Sequence, residues 1–472
     1  MLLKYFYDDK LAHASYMVGC QATGEALIID PARDTQPYLK TATENSMKIV
    51  GAAETHIHAD FLSGSRELGQ QTGATLYLSD EGDENWKYEF APEFDSQLLK
   101  DGDTFKVGNI IFEVMHSPGH TPEHLSFIIT DSAGANQPMG IFTGDFVFVG
   151  DVGRPDLLEE AAGVKGASEP GARQMFKSLQ RFKQLPDYMQ VWPGHGAGSA
   201  CGKALGAIPS STVGYEKLFN AALSYEDENQ FVKALLDGQP EPPKYFAMMK
   251  KLNKKARHVI EGLPQPEKLD MEQLKEKLDA GVLVVDTRSA NDFAAGHISG
   301  TINIPLDNAF TNWAGWMLSY EQPFYLIVNG GAVQQAVHDL IYIGLDNIGG
   351  YFEPAVIEQW PEALQSYPVT TPQAVAEQVQ NGDVFVLDVR SVSEWNAGHL
   401  PGAHHVMLGY LPDRRAEVPT DKPILVQCRS GARSAIGASV LQANGITNVI
   451  NLKGGYRDWA AAGLPIERNG NE

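Results

Sequence analysis

Residues 55–60 read T-H-I-H-A-D directly after an apolar run. In extended backbone alternate side chains share a face, so His56, His58 and Asp60 can converge on one point. Further along come His120 in SPGHTPEH, Asp145 in FTGD and His195 in WPGHG, each beside a glycine or proline turn. Imidazoles and carboxylates gathered at strand ends are the donor set of a metal bound at a sheet edge. A lone histidine reads better as a core or surface residue; this order and spacing reads as ligands. A second chemistry sits near the other end of the chain. Cys428 opens C-R-S-G-A-R-S, after the apolar run ILVQ and before a helical pattern. A strand, a tight glycine loop and a helix start together aim backbone N–H groups inward and favour an anion. With Arg429 and Arg433 close by, this predicts a thiol of lowered pKa able to carry a persulfide.

The elements that position these groups are legible in part. VLVVDTRSANDFAAGHISGTINIPL begins at Val282, and VFVLDVRSVSEWNAGHLPGAHHVML begins at Val384. Asp286, Arg288, Gly296, His297 and Gly300 recur as Asp388, Arg390, Gly398, His399 and Gly402, at a constant offset of 102 residues. A period this long is a duplicated domain. Each copy has a buried-type strand (Val282 to Val285; Val384 to Leu387), a later apolar strand (Tyr325 to Val328; Ile424 to Gln427) and then a helical segment. That alternation predicts a parallel sheet covered on both faces. In the first copy Asn329 falls where Cys428 does, and Gln334 and Gln335 fall where Arg433 and Ser434 do. This copy is expected to be folded but without the thiol chemistry of Cys428: a spacer, a docking surface or part of a subunit interface.

The earlier part of the chain differs. ALIID, KIVGAAET, TLYLSD, NIIFEVM, LSFIIT and MGIFTGD alternate with turns and a few helices, which predicts sheets covered by helices. A charged helical stretch from Gly214 to Gly262, interrupted at Pro240, Pro242 and Pro243, reads as an extension and connector. The predicted domains are residues 1–245, 246–365 and 366–472.

The H-x-H-x-D, PGH, TGD and PGHG set resembles the metallo-β-lactamase fold over about residues 1 to 215, which implies an αββα sandwich. Dinuclear members such as the glyoxalase II-like hydrolases continue as H-x-H-x-D-H. Here the last position is Phe61, which cannot bind metal. The region most resembles the persulfide dioxygenases. That resemblance implies one mononuclear non-haem Fe(II) held by His56, His120 and Asp145, with open positions for persulfide and oxygen. It leaves His58 to orient a ligand or to bind metal directly, and Asp60 and His195 as further possible ligands. Arg154 in G-R-P-D is a candidate grip on an anionic substrate group or an ion-pair partner of Asp156. Tyr16 and Thr121 are candidate pocket residues. Cys201 is a candidate sulfur carrier or a small core residue.

The cysteine loop, with D-V-R at Asp388 to Arg390 and the G-H-L-P-G segment at Gly398 to Gly402, resembles the rhodanese active site over about residues 366 to 468. Four residues separate Cys428 from Arg433, one fewer than in the Cys-based phosphatase loop C-x-x-x-x-x-R. The shorter loop suits sulfur better than a phosphoryl group. The whole is α/β and multidomain: an N-terminal sandwich followed by two rhodanese-like domains with parallel sheets. The implied chemistry is oxidation of a low-molecular-weight thiol persulfide to sulfite plus thiol, coupled to sulfane-sulfur transfer at Cys428 with thiosulfate formation. The alternative is a metal-dependent thioester hydrolase carrying a rhodanese.

Bulk composition sets outer limits. The chain has 472 residues and a formal charge of -22, so its average field repels nucleic acid and anionic membranes. Three cysteines far apart (Cys20, Cys201 and Cys428) predict no disulfide framework. The opening residues lack a basic start and long apolar run, and no stretch has the length of a membrane span. A reducing cytoplasm and, from the fused family, a homo-oligomer are the expectations.

Overall fold

The computed structural model describes residues 1–160, 166–239 and 241–468; Pro240 and residues 469–472, to which parts of the expected connector and last domain extend, lie outside them. The chain forms two compact units. The first is Met1–Pro264 with Ile341–Gly344, and the second is Gln265–Leu340 with Leu345–Glu472. Among the described residues no helix is long and apolar enough to cross a membrane.

The first unit contains two six-stranded sheets. One runs in sequence order: β1 (Leu2–Asp8), β2 (His13–Cys20), β3 (Glu25–Ile29), β4 (Lys48–Ala53), β5 (Thr75–Ser79) and β6 (Ser96–Leu99). The other holds β7 (Thr104–Val107), β8 (Ile110–His116), β9 (Leu125–Asp131), β10 (Gly140–Gly144), β11 (Gln190–Pro193) and β12 (Ser211–Thr212), again with sequence neighbours paired. Side-chain alternation sorts the residues between two cores. On β9, Leu125, Phe127 and Ile129 enter one core with Val18 and Leu27 of the facing sheet. Ile128 points the other way, and Ile141 on β10 joins it against Met175, Leu179 and Phe182 of the helix Ser168–Phe182. Helices Gln36–Glu44 and Ser65–Thr72 pack against β4 on the far side of the first sheet. The result is the expected αββα sandwich. The first unit reaches Pro264, beyond the expected boundary at 245, because the helix Phe246–Lys254 belongs to it. Asn253 on that helix donates to the carbonyls of His58 (2.9 Å) and Phe61 (2.7 Å) and accepts from the Ser63 N–H (2.9 Å).

The second unit holds two all-parallel sheets, one per repeat. The first has β13 (Val284–Asp286), β14 (Ile302–Asn303), β15 (Phe324–Ile327) and β16 (Ile348–Phe352), in the order 14-13-15-16. The second has β17 (Val369–Thr370), β18 (Phe385–Asp388), β19 (His404–His405), β20 (Ile424–Gln427) and β21 (Val449–Leu452), in the order 17-21-20-18-19. The residues shared by the repeats do the same structural work twice. Arg390 bonds Asp388 through two nitrogens and donates to the Gly398 carbonyl, as Arg288 does with Asp286 and Gly296. His399 meets the Trp395 carbonyl and His297 the Phe293 carbonyl. The duplicated motif therefore ties a strand end to the following helix.

Candidate metal centre and cysteine loop

His56, His120 and Asp145 lie on the loops that follow β4, β8 and β10, and all three are buried. Their donor atoms lie within 4.8 Å of one another. The Asp145 Oδ2 is 3.8 Å from His56 Nε2 and 3.5 Å from His120 Nε2. Hydrogen bonds fix which nitrogen faces inward. Thr55 donates its hydroxyl hydrogen to Asp30 Oδ2 (2.8 Å), so toward His56 Nδ1 (3.0 Å) it can only accept. His56 Nδ1 therefore carries the proton and Nε2 presents a lone pair. His120 Nδ1 sits 2.9 Å from the Arg154 carbonyl, an obligate acceptor, which leaves its Nε2 bare in the same way. Burial, reinforced at His56 by the neighbouring His58, holds the pKa of both imidazoles below the usual range. Neutral imidazole is the form that binds metal.

The backbone is shaped for this convergence. Gly144 has φ +47, and a Cβ there would overlap the Thr55 hydroxyl. A Cβ on Gly153 would overlap the Asp145 carbonyl oxygen. The Asp145 N–H donates to His124 Nε2 (3.1 Å), so His124 donates from Nδ1 to Ser117 Oγ (2.9 Å). His56 Nε2 and both Asp145 carboxylate oxygens are buried with no hydrogen-bond partner. Buried polar atoms without partners are costly, and a cation at this point would satisfy all of them.

His58 faces elsewhere. Its Nε2 lies 3.2 Å from Asp30 Oδ1 and 3.2 Å from Glu54 Oε2. Burial opposes its charge, but those carboxylates outweigh burial and push its pKa up to about 10. Its Nδ1 is buried without a hydrogen-bond partner, and Asp30, Glu54 and His58 form a further group of donors within 4.8 Å of one another, distinct from His56, His120 and Asp145. Asp60 and His195 form a second group with Cys201, beside the first. His195 donates from Nδ1 to the Ala12 carbonyl (3.1 Å), and its Nε2 lies 3.1 Å from Asp60 Oδ2 and 3.4 Å from Asp145 Oδ1. Phe61 fills the position of the missing ligand, its ring centroid 3.7 Å from that of His13.

The remaining expected site residues are placed as follows. Arg154 is buried and grips Asp156 through Nε (2.8 Å) and Nη2 (2.5 Å), with Nη1 donating to the Ala200 carbonyl. Of its two alternatives the geometry realises the ion pair, and its link to the centre is the carbonyl that orients His120. Tyr16 is buried on β2 and donates to the Pro193 carbonyl (2.8 Å), so it braces the strand that leads to His195. Thr121 is buried beside His120. Cys201 is buried; burial and then Asp60 and Asp145 push its thiol pKa up.

At the other site Cys428 directly follows β20 and is fully buried. The Gly431 N–H donates to its sulfur (3.1 Å), and Ser434 Oγ approaches at 3.5 Å. Gly431 has φ +99, which turns the chain into the helix Ala432–Ala443. Gly455 packs so close to the Cys428 carbonyl that a Cβ would overlap it. Arg433 is held by Glu394 in a bidentate pair (2.6 and 2.7 Å), and Arg429 is exposed. The inactive repeat differs by one residue from the sequence alignment. Sheet register puts Asp286 opposite Ile327 and Asp388 opposite Gln427, so Val328, not Asn329, occupies the place of Cys428. The helices start at Val333 and Ala432, so the first loop is one residue longer. Asn329 instead accepts from the Gly331 N–H (3.0 Å). Valine has no more capacity to carry sulfur than asparagine.

The sequence matches the metallo-beta-lactamase superfamily over residues 8–195 and the rhodanese-like domain twice, over 270–352 and 371–462. The crystal structure of a metallo-beta-lactamase from Staphylococcus aureus subsp. aureus COL is 47% identical, with a TM-score of 0.68, covering 75% of this chain and 99% of that one. The chain belongs to the metallo-β-lactamase superfamily. Its metallo-β-lactamase domain is followed by two rhodanese-like domains. The mitochondrial persulfide dioxygenase of Bos taurus is 26% identical over 240 residues, 50% of this chain and 80% of that protein. A beta-lactamase hydrolase-like protein of Xylella fastidiosa (strain 9a5c) is 32% identical over 306 residues, 58% of this chain. The match spans 64% of that relative's length.

Several residues of the metallo-β-lactamase domain's site escaped the sequence reading: Asp30, Glu54, Thr55, His124 and Asn253. Asp30 closes the run ALIID and Thr55 opens T-H-I-H, so a search for polar residues at strand ends would have found both. His124 stands four residues after His120 in a loop already singled out. Asn253 had no such signal, because its contacts span about 190 residues of sequence.

Proposed function

We propose that this protein oxidises low-molecular-weight thiol persulfides to sulfite plus thiol at a single ferrous iron held by His56, His120 and Asp145, and exchanges sulfane sulfur at Cys428. The observation that supports it most is the donor set: two imidazoles and one carboxylate, all buried, with His56 Nε2 and both Asp145 oxygens lacking hydrogen-bond partners and Phe61 in place of a further ligand. Such a two-histidine, one-carboxylate set suits non-haem Fe(II), which when bound supplies open positions where persulfide and dioxygen meet. The balanced reaction joins persulfide, dioxygen and water to give thiol, sulfite and protons. The chain's own part is to hold both Nε2 lone pairs inward through Thr55 and the Arg154 carbonyl, and to keep Asp145 aimed by its N–H bond to His124.

At the second site the Cys428 thiolate attacks the outer sulfur of a thiol persulfide or of thiosulfate. The sulfur–sulfur bond breaks, the electron pair leaves with the thiol or with sulfite, and Cys428 becomes a persulfide stabilised by the Gly431 N–H. In reverse, sulfite released by the first reaction takes sulfur from Cys428 and leaves as thiosulfate. Carrying both sites on one chain raises the effective concentration of one site's product at the other. Product analysis with glutathione persulfide tests the scheme. The parent should yield thiosulfate and Cys428→Ser should accumulate sulfite; identical products from both would exclude coupling through Cys428.

A further inference from the structure

The inactive repeat keeps its fold but lacks sulfur chemistry, and the cleft beside the cysteine loop gives it a use. A cavity of about 350 Å³ lies between the two repeats of the second unit. The first repeat supplies most of its wall, including Ile304, Leu306, Ala309 and Trp313; the second supplies Ala432, Arg433 and Ile436. Ala432 and Arg433 open the helix that follows the Cys428 loop, so the cleft lies beside the reacting segment. The Asn303 N–H donates to Ser439 Oγ (2.9 Å), which pins β14 of the first repeat to the helix that begins in that loop.

The lining identifies the chemistry of the occupant. Sulfite and thiosulfate are small, strongly hydrated anions with nothing to gain from isoleucine, leucine and tryptophan walls. Nor is the cleft an anion site. Arg433 is already neutralised by Glu394, and Asp307 adds a carboxylate to the rim. The volume falls at the small end of the range for organic ligands.

We propose that this cleft binds the neutral, partly apolar arm of an organic thiol, so that the inactive repeat sets the acceptor specificity of Cys428. The proposal rests on the sulfurtransferase reading above. The thiolate of the bound acceptor attacks the outer sulfur of the Cys428 persulfide. The bond to Cys428 breaks, its electron pair returns to the Cys428 sulfur, and the sulfane sulfur leaves on the acceptor as a new persulfide. Trp313 and Ala309 are specificity-determining positions, distant in sequence from the reacting loop.

The test compares two acceptors, pantetheine and cyanide, with thiosulfate as donor and the full chain as enzyme. Pantetheine has a neutral organic arm and cyanide has none. Ala309→Trp fills the cleft from an exposed position, and Trp313→Ala removes a wall. In each, the ratio of kcat/KM for pantetheine to that for cyanide should fall about tenfold, the equivalent of about two buried methylene groups. An unchanged ratio in Ala309→Trp, with cyanide turnover present, overturns the proposal and leaves the sulfurtransferase reading standing. A parent that transfers sulfur to neither acceptor removes both.

Discussion

Thr55→Val probes the metal centre without touching a ligand. Valine nearly matches threonine in shape, and the Thr55 N–H bond to Asp30 Oδ1 (2.7 Å) survives the change. Two bonds do not: the hydroxyl to Asp30 Oδ2, and the one that receives the proton of His56 Nδ1. A buried imidazole N–H left without an acceptor costs about 1–3 kcal/mol. In the metal-bound state the same loss frees the ring to rotate or change tautomer. Outer contacts of this kind are worth about 10–100-fold in metal affinity, or about 1.4–2.7 kcal/mol. Ferrous affinity would be read by competition with a chelator under anaerobic conditions, with Thr55→Ser alongside to restore the hydroxyl. The expected order is parent and Thr55→Ser together, with Thr55→Val weaker by at least about tenfold. If Thr55→Val binds within about twofold of the parent, the hydroxyl does not orient His56 and the tautomer argument fails.

Three further outcomes are expected. Burial raises the pKa of Glu394, but Arg433 outweighs it and holds the carboxyl down at about 2, against an ordinary 4.5. A depressed folded pKa contributes stability that is present above the unfolded value and lost as pH falls through the folded one. Urea titrations of the parent should therefore lose about 1–2 kcal/mol between pH 4.5 and 2 that Glu394→Gln never had. Gly455→Ala places a methyl group against the Cys428 carbonyl at φ +54, where an L side chain is disfavoured by about 1–2 kcal/mol. It should lower sulfur transfer to cyanide at least about tenfold while metal content stays at the parent level. Trp459→Ala empties a fully buried site in the last domain's core and should cost about 3–5 kcal/mol, read as a fall in the second unit's unfolding midpoint.

What the sequence made legible follows from how local each signal is. His56, His120 and Asp145 come together because each follows a strand end within a few residues, and short motifs record that directly. The Cys428 loop reads equally well, since strand, glycine and helix start are contiguous. Roles decided by partners far along the chain were less visible. The setting of His58 depends on Asp30, 28 residues earlier, and Arg154 is paired with Asp156 and Ala200 by a fold that motifs do not describe. The one-residue difference at Val328 has a plain cause. An apolar run such as FYLIV has no internal mark of where pairing stops, and register is set by the neighbouring strand. The first unit's reach to Pro264 was hidden for a similar reason: the helix Phe246–Lys254 docks through contacts distant in sequence, such as Asn253 to the His58 carbonyl and Arg66 to the Leu252 carbonyl.

The most direct test of the central claim is oxygen uptake by the Fe(II)-loaded protein given glutathione persulfide, with sulfite and thiosulfate measured in the same reaction. The account predicts rapid uptake matched by oxidised sulfur and abolished in Asp145→Asn; an iron-loaded parent that consumes no oxygen while it hydrolyses a glutathione thioester would contradict it.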